Sequence, residues 1–371
     1  MTVQASTPTA SKGPLAGLRV VEFAGLGPAP FACMLLSDMG AEVVTVDRNA
    51  TNVGDPDNIT GRGRKVVVAD LKNPEARDQV LALLDHADIV VEGFRPGVME
   101  RLGLGPDTVA GRNPRVIYGR MTGWGQHGPL AQSAGHDINY IAITGSLHAI
   151  GAENGPPDVP LNLIGDYAGG SMFLLCGILA ALHERTQSGK GQVIDAAITD
   201  GTLALMSTFV SHARKGKFTE ERGTNLLDGG APFYSVYQTL DGEHISLGAL
   251  EPQFFAQLCD RIGLGEDFRN AQYDRQKWPA LREELARIFA GRTREEWTGL
   301  LEGSDACFAP VLKLGEAMQH PHHLARGAWV DIDSVRQPAP VPRFSRTPST
   351  VQGSSRAPHD LADLTLHWRA K

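Results

Sequence analysis

At 371 residues, 42% of them hydrophobic and 21% charged, the chain has an ordinary globular composition and length for one large or two ordinary domains. A formal net charge of −7 disfavours nucleic acid as a partner and leaves small anions to whatever local basic clusters the fold creates. Four cysteines, Cys33, Cys176, Cys259 and Cys307, form no C-x-x-C pair, which argues against a disulfide framework.

Residues 1–13 are rich in Thr, Ser and Ala without an apolar stretch, and are expected to be a disordered tail rather than a signal peptide. Leu18 to Ala24 reads as a strand. Gly25-Leu26-Gly27-Pro28-Ala29-Pro30 leads from it into a helix over Phe31–Met39, and Ala41–Asp47 is a second strand. This βαβ unit imitates a dinucleotide fingerprint. Pro30 stands where the third glycine belongs, however, and Pro28 lacks an N–H for a pyrophosphate, so NAD is disfavoured. Strands follow at Lys65–Ala69, Ala87–Val91, Arg115–Tyr118 and Val193–Ala196, with helices between them. The alternation predicts a doubly wound, Rossmann-like sheet whose ligands gather at the carboxyl ends of the strands. Arg48, Lys72, Arg95 and Arg101 all follow strand ends and could together hold phosphates, or could simply be solvated turn residues.

Gly135-His136-Asp137-Ile138-Asn139-Tyr140 and Gly165-Asp166 both read as glycine-led helix starts. Such ends expose free N–H groups and a positive dipole end. Read alone, His136 and Asp166 are first of all capping residues. The helix from Gly169 to Gln187 contains the longest apolar run, Met172–Leu182, too short to span a bilayer. Cys33 and Cys176 sit in apolar helical runs and are expected to be buried thiols. Beyond a helix over Asp200–Arg214 the character changes. Residues 215–232 read as a polar, glycine-rich linker, and Phe233–Leu250 as a hairpin turning at Asp241-Gly242. Three helices follow, the last with a capping box in Thr293 and Glu296. The predicted organisation is a tail (1–13), a large α/β domain (14–214), a linker (215–232), a smaller α+β domain (233–327) and a return segment (328–371) packing on the large domain. His320-Pro321-His322-His323 is expected to be surface loop and no metal site, because the proline breaks the spacing and no carboxylates accompany it. The last residues, Trp368-Arg369-Ala370-Lys371, are no peroxisomal address, so the cytoplasm is the default expectation.

Arg115-Val116-Ile117-Tyr118 through Gly123-Trp124-Gly125-Gln126-His127-Gly128-Pro129 resembles the class III CoA-transferase family, as do Gly17-Leu18-Arg19-Val20-Val21-Glu22 and Gly189-Lys190-Gly191-Gln192. The resemblance covers nearly all of the chain after the tail. Within the family it is most similar to the branch of α-methylacyl-CoA racemases, on Gly135–Tyr140, Gly165-Asp166 with Gly169-Gly170, and Glu251-Pro252-Gln253. It implies an interlocked homodimer with shared active sites. It implies His136 and Asp166 as two acid–base residues and Glu251 as the group that orients and charges His136. It further implies contacts with an acyl-CoA substrate at Arg48, Ala69, Leu71, Lys72, Gly93, Phe94, Arg95, Arg101, Gly135 and Tyr140. No cofactor is implied, since CoA is part of the substrate. Transferase relatives use an aspartate aligned near Asp166 as a nucleophile and carry a glycine run where this chain reads Leu247-Gly248-Ala249-Leu250.

The chemistry fits these residues. A thioester lets its α-proton leave as an enolate, so two groups on opposite faces of the carbon suffice to invert it. An imidazole, with a reference pKa of about 6.5, suits either role near neutrality. A carboxyl such as Asp166 would need burial to raise it. The N–H of Asp137 is the candidate donor to the enolate oxygen. His127, at the variable position of the Gln-x-Gly-Pro element, is a decoy. The side chains of Asp137 and Glu22 are expected to be structural.

Overall fold

The computed structural model describes residues 13–370, so the expected tail falls outside the described residues except for Gly13. Six strands, β1 (Arg19–Phe23), β2 (Glu42–Asp47), β3 (Arg64–Val68), β4 (Ile89–Glu92), β5 (Ile117–Thr122) and β6 (Val193–Ala197), form one parallel sheet in the order β3-β2-β1-β4-β5-β6. Runs such as Val20-Val21, Val43-Val44 and Ile89-Val90-Val91 are buried on both faces, the signature of a covered parallel sheet. The strand order reverses at β1 and β4, which opens a crevice at their carboxyl ends.

Helices α1 (Pro28–Asp38), α2 (Pro74–Leu84), α3 (Val98–Arg101), α4 (Pro106–Arg112), α5 (Asp137–Ala142), α6 (Met172–Ser188) and α7 (Ile198–Leu205) surround the sheet. On one face Cys33 and Leu36 of α1 and Leu174 and Ile178 of α6 pack on Val20, Ile89, Val91 and Ile117. On the other, Val80, Leu83 and Leu84 of α2 join Leu361, Leu364 and Trp368 of the C-terminal helix Leu361–Ala370 over Val21, Val44 and Val90. The return segment is tied down before that helix. Gln352 donates to the carbonyls of Ser37 (2.6 Å) and Ala41 (2.9 Å), and Ser355 donates its N–H to Arg64 (3.0 Å).

The helix after Asn162 differs from expectation. A nine-residue π-helical segment, Leu163–Ser171, runs directly into α6. The continuous helix of 26 residues is long and apolar enough to cross a membrane by length and composition, a criterion that core helices also meet. Here Leu174, Leu175, Ile178 and Ala181 lie in the core. Met172, Phe173, Cys176 and Leu179 form the exposed face. Cys176 is therefore not the buried thiol its apolar neighbourhood suggests, whereas Cys33 is buried.

The chain divides into two compact units. One holds the described residues of Met1–Thr144, Leu161–Leu205 and Gly327–Lys371; the other is Gly145–Pro160 with Met206–Arg326. The smaller unit contains α8 (Ser207–Arg214), the hairpin β7 (Tyr234–Gln238) and β8 (His244–Gly248), α9 (Pro252–Ile262), α10 (Glu266–Arg269), α11 (Trp278–Phe289), α12 (Arg294–Leu301) and β9 (Phe308–Pro310). The third strand, β9, pairs antiparallel with β8. Phe233, Phe255, Leu285, Phe289 and Trp297 fill the core between sheet and helices. The Thr293–Glu296 capping box is formed, with reciprocal bonds of 2.8 and 3.2 Å. The division falls elsewhere than expected, because 145–160 and 206–232 belong to this unit. Arg222 donates to the carbonyls of His148 (2.8 Å) and Ala152 (3.2 Å). The Asp228 carboxylate collects the N–H groups of Gly223, Asn225 and Gly230 at 2.8–3.1 Å. These bonds turn a stretch that reads as a linker into built structure.

Candidate active site

Gly123 and Trp124 follow the end of β5 and form the seat of the first candidate base. The Tyr140 ring lies against them. A Cβ placed on Gly123 would be 2.0 Å from that ring, and Trp124 meets it edge-on with centroids 4.7 Å apart. From this seat the Tyr140 hydroxyl donates to the Gly135 carbonyl, which fixes the backbone immediately ahead of His136. His136 is the N-cap of α5. Asn139 reaches back, its Oδ1 accepting the His136 N–H at 3.1 Å, while its own N–H donates to the His136 carbonyl at 2.8 Å. The cap is thus secured by Asn139 and Tyr140, and His136 itself is exposed. Asp137 begins the helix, where a backbone N–H has no intrahelical acceptor.

Asp166 is not at a free helix start, as the sequence suggests, but in the first turn of the π-helical segment, four residues after Asn162. Its amide is taken: the N–H donates to Asp137 Oδ2 at 2.7 Å. Its carboxylate accepts from Asn162 Nδ2 at 3.2 Å and lies over Gly27, where a Cβ would stand 2.9 Å from Oδ2. Gly27 has φ +70°, and α1 begins at the next residue. The glycine that imitates a dinucleotide fingerprint thus makes room for Asp166. The segment is anchored by Ser171, whose hydroxyl donates to the Pro28 carbonyl at 2.7 Å, and by Tyr167 stacked on Phe31 at 4.5 Å. The Asp166 carboxyl is raised above the ordinary range, first by burial; the Asn162 hydrogen bond pulls it down, the Asp137 charge raises it and the His136 charge lowers it. The His136 charge therefore acts on Asp166, whose amide is bonded to Asp137.

The basic residues follow the carboxyl ends of β2, β3 and β4 along the chain, and all are exposed. Arg48 faces Asp70 at 4.0 Å, and Lys72 sits in the turn that Asp70 caps through the Lys72 N–H at 3.2 Å. Arg95 reaches the Gln132 carbonyl at 3.4 Å, and Arg101 closes α3. Between them Ala69 is buried and Leu71 half-buried, while Gly93 is exposed. The Phe94 N–H donates to Glu92 at 2.8 Å. Buried Glu92 is held in turn by Arg120 at 2.9 Å, which stiffens the end of β4. Glu22 is likewise buried and structural, accepting from Arg64 (3.0 Å) and Thr45 (2.7 Å).

Glu251 belongs to the smaller unit, where it is exposed and caps α9. Burial and then its charge raise the neighbouring Tyr273 and Cys307. That unit also carries an open pocket of about 1280 Å³, lined by groups such as Asp228, Tyr234, Trp278 and Phe308 and by none of the expected site residues. His127 is exposed. His320 pairs with Glu302 at 2.8 Å beside the short helix Pro321–Ala325. Among the described residues no group of three or more His, Cys, Asp or Glu is arranged to hold a metal. Sequence reasoning missed Asn162 and Gly27 as site residues. Asn162 was findable as a polar group one helical turn before Asp166; the approach of Gly27 to Asp166 is long-range and leaves no local signal.

The sequence model of CoA-transferase family III matches residues 15–360. The chain belongs to this family. Family III relatives include the α-methylacyl-CoA racemases of Mus musculus, 43% identical over 93% of this chain and 90% of the relative, and of Homo sapiens, 43% identical over 90% and 87%. A succinyl-CoA–D-citramalate CoA-transferase of Chloroflexus aurantiacus is 31% identical over 93% and 91%. Among solved structures, a CaiB/BaiF family protein of Brucella suis aligns with TM-score 0.78 at 25% identity, covering 97% of this chain and 99% of that one. A hypothetical protein of Mycobacterium tuberculosis aligns with TM-score 0.81 at 26% identity, covering 96% and 100%.

Proposed function

We propose that this family III member interconverts (2R)- and (2S)-2-methylacyl-CoA thioesters by 1,1-proton transfer through an enolate. The observation that carries the reading is the pairing of an exposed imidazole, His136, with a half-buried carboxyl, Asp166, that burial raises toward a useful range. The 43% identity to racemases supports it. One group takes the α-proton from one face, the other delivers a proton to the opposite face, and the pair holds one exchangeable proton. The Asp137 N–H donates to the enolate oxygen. Arg48, Lys72, Arg95 and Arg101 hold the CoA nucleotide and diphosphate, with Ala69, Leu71, Gly93 and Phe94 along its path and Gly135 and Tyr140 at the reacting end. No cofactor takes part beyond the CoA of the substrate. Glu251 of a second copy orients and charges His136 in a homodimer with shared sites.

The test is deuterium wash-in at the α-carbon with no acceptor acid present. His136→Ala and Asp166→Ala should each lose racemisation by about 10² to 10⁴-fold while still labelling one enantiomer, and opposite ones. Equal labelling of both enantiomers by both variants would refute the two-base assignment. The transferase relatives give the competing reading a footing, with Asp166 as nucleophile. A covalent acyl-enzyme abolished by Asp166→Ala, with CoA transferred to an added acceptor acid and no α-proton wash-in, would establish it instead.

A further inference from the structure

Asp137 is a carboxylate that the two-base reading leaves unused except for its backbone. It is only 5% exposed. One oxygen accepts the Asp166 N–H at 2.7 Å; the other, Oδ1, is buried with no hydrogen-bond partner among the described residues. A buried, half-satisfied carboxylate is costly and calls for a reason. The backbone opposite is shaped to admit it. A Cβ on Gly165 would stand 2.5 Å from Asp137 Oδ2 and 3.0 Å from Ile141, so only glycine lets the Asp166 segment come down onto this group.

We infer that the Asp137 carboxylate is the positioning group of Asp166, aiming it through its amide and placing a like charge beside it. The inference rests on the two-base reading and deepens it. A like charge disfavours ionisation, so a carboxyl beside Asp137 keeps its proton to higher pH and delivers it more readily near neutrality. Among the described residues burial raises Asp166 most, and Asp137 is the charge that adds to it. The ionisable groups of α5 facing Asp166 are His136, whose charge acts in the opposite sense, Asp137, and Tyr140, on which Arg95 also acts. On the other side Gly27, Pro28 and Phe31 carry no charge. Asp38, at the far end of α1, is bound to Arg62. On α7, Asp200 is exposed. Arg120 of β5 is engaged by Glu92 and Glu100, and Asp195 of β6 by the Gln126 N–H. Arg185 of α6 is tied to Asp88.

The variant is Asp137→Asn, which keeps an acceptor for the Asp166 N–H and removes the charge. Asp166 is read directly by carbon NMR of aspartate-labelled protein, its resonance assigned by loss in Asp166→Asn. The wild-type group should titrate above ordinary carboxylates, and in Asp137→Asn its midpoint should fall by about one pH unit. In wash-in assays the acid limb for the enantiomer that depends on Asp166 should move to lower pH by the same amount. The limb for the other enantiomer and the KM should stay in place, which a merely structural role would not produce. An unchanged Asp166 midpoint, or equal movement of both limbs, overturns the inference. Should Asp137→Asn fail to fold, Gly165→Ala displaces the same carboxylate and should lower the midpoint likewise. A wild-type midpoint at or below ordinary carboxylates refutes the proposal by itself. Failure of the racemase reading looks different: no α-proton exchange in wild type, with the Asp166 titration still responding to Asp137→Asn.

Discussion

Gly123→Ala tests whether the Tyr140 seat holds His136 in place. The added Cβ would lie 2.0 Å from the Tyr140 ring, where an ordinary contact begins at 3.4 Å, so one of the two must retreat by about 1.4 Å (3.4 − 2.0). The backbone resists, because the Gly123 carbonyl accepts the Thr199 N–H at 3.1 Å. Tyr140 therefore moves, and with it go the hydroxyl bond to Gly135 and the edge contact with Trp124. The hydrogen bond contributes about 0.5–1.5 kcal/mol and the aromatic pair a similar amount, so stability should fall by about 1–3 kcal/mol in urea denaturation. Function should suffer more than stability. A displacement of about 1 Å at a reacting group costs on the order of 10²-fold in rate. The loss should fall mainly on the enantiomer whose exchange depends on His136, since Asp166 is also held apart from this seat by Asn162 and the Ser171 hydroxyl. Tyr140→Phe keeps the ring and should lose only the hydroxyl bond. The reasoning fails if Gly123→Ala turns over within about twofold of wild type, or if both half-reactions decline equally.

Three further outcomes are expected. Asn162→Ala removes the hydrogen bond that favours ionised Asp166 and leaves burial and Asp137 to raise it, so the acid limb of the Asp166-dependent exchange should move to higher pH in a pH–rate profile. Arg101→Glu should raise the KM for acyl-CoA about tenfold, equivalent to about 1.4 kcal/mol, and change turnover little, as measured by initial rates. Co-expressed His136→Ala and Glu251→Ala chains should recover partial activity in an isolated heterodimer if sites are shared; an inactive heterodimer would show that each site is built from one chain.

The parallel sheet was legible because buried valine runs and glycine-ended helices are local signals. The basic residues at the strand ends followed from that topology. The short strand Phe308–Pro310 was not, since three residues ending in proline carry little periodicity. Cys176 misled because its apolar run continues around α6 onto the exposed face. Residues 215–232 misled because glycine content reports conformational freedom, whereas the order there comes from Asp228 collecting the backbone N–H groups of its own loop and from Arg222 reaching the distant His148 carbonyl. At the site, His136 and Asp166 were visible as residues, but their support was not. Tyr140 against Gly123 and Asp166 against Gly27 are contacts between segments far apart in sequence.

The π-helical segment Leu163–Ser171 also has an arithmetic of its own. A wider turn is what one extra residue produces when it is lodged in an α-helix that neighbours hold at both ends. Removing a single residue between Asp166 and Met172, such as Ala168, would let the helix close to ordinary pitch. The residues of the wide turn that carries Asp166 would then be drawn in by one position against α6. The core contacts of Leu174 and Ile178 would keep their phase, and Asp166 would swing off Gly27. The carboxylate's address is thus written in the length of the chain as much as in its letters, and one lost codon could silence the chemistry while the sheet beneath it folds as before.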